Sequence, residues 1–296
     1  MSNLEVDLVQ QRVVKLVQQR VIKTIARDFL LPESPRWHDG WLWMVDVVGG
    51  KVWRLSTDGR RELVVDARNK VAGLGFLRDS TPVVASQFDR KLNKIVNGAL
   101  VPYADLSGFG VSPLNDLLVD PEDRVYVGEF GYDLYSGAEP SPAGLFLVEP
   151  DGAVRQVAAN LSFANGIVLL DGGKKLVIAE TFGHCLTSFD RSENGDLSGR
   201  RVHFALPGYT PDGICVDAEG GIWVSSCETG DFLRLDKTGE ITDTIQIEGG
   251  KAFACALGGE DGRTLFCNVY EGPFEDLFAG KTKGYVGVVQ VTVAAA

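Results

Sequence analysis

Asn115-Asp-Leu-Leu-Val-Asp-Pro-Glu-Asp-Arg-Val-Tyr-Val-Gly128 and Asp212-Gly-Ile-Cys-Val-Asp-Ala-Glu-Gly-Gly-Ile-Trp-Val-Ser225 have the same form. Each runs from an Asn or Asp through a short apolar strand, turns at Asp and Gly, and leaves along a second apolar strand. Asn165 to Ala179 is a third copy, one residue longer, and Glu33 to Val45 a fourth with Asp39-Gly40 as its turn. Ala72 to Ala85 is a weaker fifth, and Ala254 to Cys267 a sixth that turns at Asp261-Gly262. The unit recurs at roughly 40–50 residues, the period of propeller blades. Third strands follow, as in Lys51 to Gly59, Gly144 to Gly152 and Asp231 to Gly239, then fourth strands such as Ala153–Ala158 and Ile241–Ile247. The reading is an all-β chain, a six-bladed β-propeller with four antiparallel strands per blade. A generic β-sandwich is the competing architecture; the lack of long helical patterns between strands argues against an α/β barrel.

The bulk composition agrees. The 296 residues include 35 glycines, spread along the chain in Asp-Gly, Gly-Gly and Asn-Gly pairs between short apolar runs. That is the punctuation of many strands and tight turns. With 45% hydrophobic and 23% charged residues the chain reads as soluble and globular. A net charge of −11 makes nucleic acid and anionic membranes poor partners, leaving a small-molecule substrate as the expected one. No apolar run approaches the roughly 18 residues of a membrane span. The first residues lack the basic-then-apolar pattern of a secretory signal, so a cytoplasmic location is expected. Five scattered cysteines form no Cys-x-x-Cys pair and read as free thiols.

Residues 25–296 are assigned to the propeller and 1–24 to an N-terminal extension. The extension carries a local duplication, Leu8 to Lys15 repeated as Leu16 to Lys23. Gly284 to Val293 reads as a late strand of the sixth blade, and a segment around Val21–Phe29 is placed beside it to close the ring.

In a propeller the first strand of each blade lines the central channel. The equivalent starting positions are Glu33, Ala72, Asn115, Asn165, Asp212 and, approximately, Ala254. Four carry oxygen. Two carboxylates facing one another near the axis repel unless a cation lies between them. Hard oxygen donors select calcium, magnesium or manganese. Taken singly, Asn-Gly and Asp-Gly are ordinary turn pairs; the shared register makes them a candidate metal ring.

At these residues the sequence resembles the gluconolactonase, regucalcin and luciferin-regenerating enzyme family, over nearly the whole chain after about residue 25. Leu31-Pro-Glu-Ser-Pro-Arg-Trp37, Asn115-Asp116 with Val119-Asp-Pro121, Phe163-Ala-Asn-Gly166 and Pro211-Asp-Gly213 are similar to its four ligand motifs. The resemblance implies one divalent cation held by Glu33, Asn115, Asn165 and Asp212. Calcium is expected, with magnesium, manganese or zinc as alternatives, and the usual reaction is hydrolysis of a lactone. Sugar lactonases of the family commonly carry an arginine two residues before the second ligand; here Pro113 stands there. An aldonolactone is therefore not the expected substrate. Phe130-Gly-Tyr-Asp133 and Glu180-Thr-Phe-Gly-His184 look more like a bacterial subgroup.

Residues just after each second strand should rim the pocket: Asp46, Gln87 and Phe88, Glu129 and Phe130, Glu180 to His184, Cys227 and Glu228, and Asn268 to Tyr270. By resemblance, Asp212 is the expected base as well as a ligand. Glu129, Phe130, Asp133 and His184 are the expected substrate contacts, with His184 a candidate proton donor. No Gly-x-Ser-x-Gly motif suggests a covalent serine route. The expected function is a metal-dependent lactonase. The alternatives are a fluorophosphate or phosphotriester hydrolase on the same metal, as in the more distant diisopropyl fluorophosphatase, and a non-catalytic calcium-binding propeller.

Overall fold

The computed structural model describes residues 22–296. The N-terminal duplication lies outside the described residues apart from its last two, Ile22 and Lys23. Six four-stranded antiparallel sheets follow one another along the chain. Their innermost strands are Pro32–His38, Val71–Phe76, Leu114–Val119, Ala164–Leu170, Pro211–Val216 and Gly250–Gly258. Each inner strand touches the next, and the sixth touches the first, so the ring is closed. Closure is made by the chain's own start: Lys23–Phe29 pairs with Gly284–Gln290 as the outermost strand of blade 6. No helix among the described residues is long and apolar enough to cross a membrane.

The core lies between blades. Leu77, Val83, Ala85 and Leu92 of blade 2, for example, pack on Leu114, Val125, Phe146 and Val148 of blade 3. Alternation along each strand supplies both faces, because every blade is covered on two sides.

The aspartates of the repeat build the turns. Asp120 Oδ1 accepts the backbone N–H groups of Glu122 and Arg124, both at 2.9 Å. Asp217 Oδ1 does the same for Glu219 and Gly221, also at 2.9 Å. A carboxylate closing a turn onto its own backbone explains why this residue type recurs there.

Every inner strand is also irregular at one place. Its register against the second strand slips between Glu33 and Arg36, Ala72 and Leu74, Leu114 and Leu117, Ala164 and Ile167, Pro211 and Ile214, and Ala252 and Ala254. Such bulges re-aim side chains. Here they fall on the channel positions of all six blades.

Candidate metal and substrate site

The bulges define the ring. Pro211 pairs with Ser226 just before the slip in blade 5, and Ala252 with Val269 in blade 6. The residue after each, Asp212 and Phe253, is therefore equivalent. The sixth position is Phe253, one residue before the Ala254 suggested by the repeat. The glycines that follow two of the ring positions are not turn residues. A Cβ on Gly166 would sit 2.6 Å from Ile214 N, and one on Gly213 would sit 2.5 Å from Ala254 Cβ. Only glycine lets neighbouring blades meet this closely.

Glu33, Asn115, Asn165 and Asp212, from blades 1, 3, 4 and 5, line one cavity of about 300 Å³. Asn115 Nδ2 donates to Ala164 O at 2.9 Å, and Asn165 Nδ2 donates to Thr181 Oγ1 at 3.1 Å. Thr181 is fixed in turn by donating to Pro211 O at 2.8 Å. With each amide nitrogen engaged by protein, the amide oxygen is the atom left to coordinate. Glu33 accepts Ser34 N at 2.9 Å. Behind the ring, Asp116 accepts Ser34 Oγ at 3.0 Å and Arg36 Nη2 at 2.8 Å, tying blade 1 to blade 3. Ala72 and Gly73 of the blade between them present no side chain large enough to block that link.

The electrostatics are those of a site built for positive charge. Burial first, then the charge of Asp212, pushes the Glu33 carboxyl well above its ordinary range, although Glu33 keeps some surface open to the cavity. Burial also lifts Asp212 to about 8, partly offset by hydrogen bonds from Asn165 and Cys227. Arg36 is committed to Asp116, so neither carboxylate has its own cationic partner at the ring. Among the described residues no cluster of three or more His, Cys, Asp or Glu could hold a metal. The donor set is instead two carboxylates and two amide oxygens, which fits a hard oxygen-seeking ion such as calcium and not a thiolate- or imidazole-bound zinc.

Above the ring the cavity is apolar. Phe130 stacks on Phe163 with centroids 4.3 Å apart, and Phe163 meets Phe182 edge-on at 5.1 Å. On the other side Phe253 packs edge-on against Phe274 at 6.2 Å. Phe274 opens a short helix, Phe274–Phe278, inserted between two strands of blade 6, whose Leu277 and Phe278 also face the cavity. Polar groups are few: Gln87, Tyr135, Thr181, Cys227 and Glu228. Tyr135 donates to Gln87 Oε1 at 3.3 Å, and burial pushes its hydroxyl up to about 12. Burial likewise pushes the Cys227 thiol up.

Of the expected rim, Gln87, Phe130, Thr181, Phe182, Cys227 and Glu228 line this cavity. The others are placed elsewhere. Glu129 is buried in an ion pair with Arg90 at 2.7 Å and also accepts Gly144 N at 2.9 Å. Asp133 caps a turn, accepting Tyr135 N and Ser136 N. His184 is exposed, with Nδ1 2.7 Å from Tyr209 O. Asp46 binds the backbone N–H of Leu30 and Leu31. Glu180 accepts Ser162 N at 2.7 Å and pairs with Arg200 at 3.0 Å. Asn268 is wholly buried, and Tyr270 donates to Lys281 O at 3.0 Å. Pro113 is buried, its carbonyl accepting Phe130 N at 3.0 Å.

Several lining residues carried no motif: Tyr135, Phe253 and the Phe274–Phe278 helix; Phe163 lay in the third ligand motif but was not expected to line the cavity. Phe253 was within reach of a stricter alignment of the sixth repeat. The helix was signalled only by the length of the stretch between two strands of blade 6, which exceeds a hairpin turn.

The closed six-bladed propeller thus carries oxygen-bearing side chains from four blades at the floor of an apolar cavity. Residues 31–269 match the family described as SMP-30/gluconolactonase/LRE-like region. The chain belongs to this family. It is 26% identical over 243 residues to regucalcin of Danio rerio, covering 79% of this chain and 81% of the relative. It is also 26% identical over 243 residues to pentonolactonase XacC of Haloferax volcanii, covering 80% of each. Among solved structures, a gluconolactonase of Xanthomonas campestris superimposes with a TM-score of 0.75 at 20% identity, covering 93% of this chain and 91% of that one.

Proposed function

We propose that the protein is a divalent-metal-dependent hydrolase of small lactones, acting on substrates less hydroxylated than an aldonolactone. The observation that carries this reading is the donor ring itself. Two carboxylates and two oriented amide oxygens, drawn from four blades, sit under an apolar cavity. When bound, calcium would polarise a lactone carbonyl and stabilise the developing oxyanion. Asp212 is assigned the proton of the attacking water, because its carboxylate lines the cavity and lies beside Asn165 and Cys227. Glu33, Asn115 and Asn165 hold the ion. Membership of a family with lactonase members supports the reaction type, and the aromatic walls support the substrate class.

The test is a panel of simple γ- and δ-lactones, aryl lactones, glucono-1,5-lactone and a fluorophosphate. Acid release is followed after exhaustive chelation and after reloading with calcium, magnesium or manganese, with spontaneous hydrolysis subtracted. Chelation is expected to reduce turnover to background and metal to restore it. Simple or aryl lactones are expected to match or exceed gluconolactone in kcat/KM. Turnover indifferent to chelation overturns the metal reading, and clear preference for gluconolactone overturns the substrate reading. Activity on the fluorophosphate alone, or metal binding with no turnover, assigns the site to one of the two alternatives.

A further inference from the structure

Beside the metal cavity lies a second groove of about 330 Å³. Phe163 and Phe182 line both spaces and stand between them. Tyr132, Pro140, Pro142 and Ser162 are among its other lining residues.

The partition is built at a conformational cost. Phe163 has φ of +65°, a left-handed backbone that a bulky side chain rarely adopts. Asn160, three residues earlier, is also left-handed at +59°. Residues 160–163 therefore bend sharply and set the Phe163 ring on edge between the two spaces. It is held there by the stack on Phe130 and by edge contacts with Tyr132 at 6.0 Å and Phe182 at 5.1 Å. Strain kept in a surface loop at a cavity wall points to function. The facing loop is pre-formed: Ser141 Oγ donates to Gly131 O at 2.5 Å, and Gly131 approaches Ser141 too closely for any Cβ.

The chemistry of the groove is uncharged. Its lining holds no acid or base. Arg200, the nearby guanidinium, is spent on the carbonyls of Ala159 and Asn160 and on Glu180. The metal cavity adds Glu33, Asp212 and Glu228, all acidic. Neither space suits an anion. By volume the metal cavity alone lies at the small end of ligand pockets, and the groove roughly doubles it.

We propose that the groove binds the tail of an elongated, neutral substrate: a lactone bearing an aryl or medium-length alkyl substituent. The reacting carbonyl sits over the oxygen ring, and the substituent crosses the edges of Phe163 and Phe182 to lie against Tyr132 and the two prolines. This rests on the hydrolase reading above and deepens it.

The experiment compares an unsubstituted δ-lactone with the same ring carrying an eight-carbon or phenylalkyl tail. Two readouts are taken: kcat/KM for the lactones, and Kd by calorimetry for the matching non-hydrolysable lactams. The wild-type protein is expected to favour the tailed member by about tenfold or more in both, since each buried methylene contributes severalfold. Ser162→Trp, which fills the groove, is expected to cut that preference by about tenfold. Phe182→Ala, a milder change that removes one of the two rings between the spaces, is expected to reduce it as well. The proposal is overturned if the wild type shows no preference for the tail, or if the preference survives unchanged in both variants. Because the lactams report binding without turnover, a protein that prefers the tailed lactam yet hydrolyses no lactone would retain the groove and lose the hydrolase reading.

Discussion

Asn115 and Asn165 show how a single residue acquires its role. An asparagine amide offers both donor and acceptor; here Ala164 O and Thr181 Oγ1 take the donor ends, which leaves oxygen for the cavity. Asp212 differs from the other ring carboxylate, Glu33, in being buried and in having Asn165 and Cys227 beside it. Asp212→Asn retains an oxygen and loses the proton acceptor. It is expected to bind metal more weakly yet measurably and to lose roughly 10²–10⁴ in kcat, the usual range for a general base. Glu33→Gln is expected to lower occupancy instead, with activity recovered by excess metal. Metal content and steady-state rates at saturating metal separate the two; near-normal turnover in a metal-loaded Asp212→Asn protein refutes the base.

At the scale of elements, the repeated turn does more than reverse the chain. Asp217 closes its turn with Oδ1 and accepts Arg234 Nε at 2.7 Å with Oδ2, its side chain wholly buried. Asp120 holds Arg124 and Arg191 in the same manner, joining blade 3 to blade 4. Removing one partner of such a pair leaves a buried charge poorly compensated. Asp217→Ala is expected to destabilise the fold by about 3 kcal/mol, seen as a lower denaturation midpoint, with kcat/KM at 25 °C unchanged because Asp217 lies outside the cavity. An unchanged midpoint would mean that Glu219 and Thr242 compensate Arg234 alone. Loops obey no such repeat. The Phe274–Phe278 helix occurs in one blade only and forms one apolar wall of the cavity.

For the whole molecule, the ring residues join four of six blades, so whatever occupies them acts on the assembled fold. Without a cation, Asp212 titrates near 8 and Glu33 is also raised. Unfolded carboxyls titrate near 4. Between about pH 4 and 8 the folded chain therefore binds more protons than the unfolded one, and stability falls as pH rises through that window. Under the proposed reading, calcium bound at the ring would compensate the same charges. In chelator, Tm is expected to fall from pH 5.5 to pH 8.5, and calcium is expected to raise Tm more at the higher pH. At a hundredfold excess over Kd, about 2.7 kcal/mol of linkage corresponds to roughly 4–5 °C for a chain this size. Parallel Tm profiles with and without calcium would rule out charge compensation at the ring.

The blade count, the turn aspartates and the four oxygen-bearing ring positions were legible in the sequence, because all arise from one local pattern repeated six times. A strand's alternation and a turn's Asp-Gly are short-range properties, and registering the copies aligns the channel. Only the tertiary structure decided what surrounds the ring. Glu129 and Glu180 end their second strands and pair with Leu114 and Ala164 as Ser226 pairs with Pro211, so they stand one residue before the cavity-lining Phe130, Thr181 and Cys227 and are held instead by Arg90 and Arg200. Phe253 took the sixth position through a bulge that shifts register by one residue. Phe163 became a partition through a left-handed backbone, and Tyr135 entered the cavity on a turn capped by Asp133. The Phe253 bulge, the Phe163 backbone and the Tyr135 turn have no period to read. The direction of a loop side chain is set by the partners that packing brings to it, and those partners lie far away along the chain.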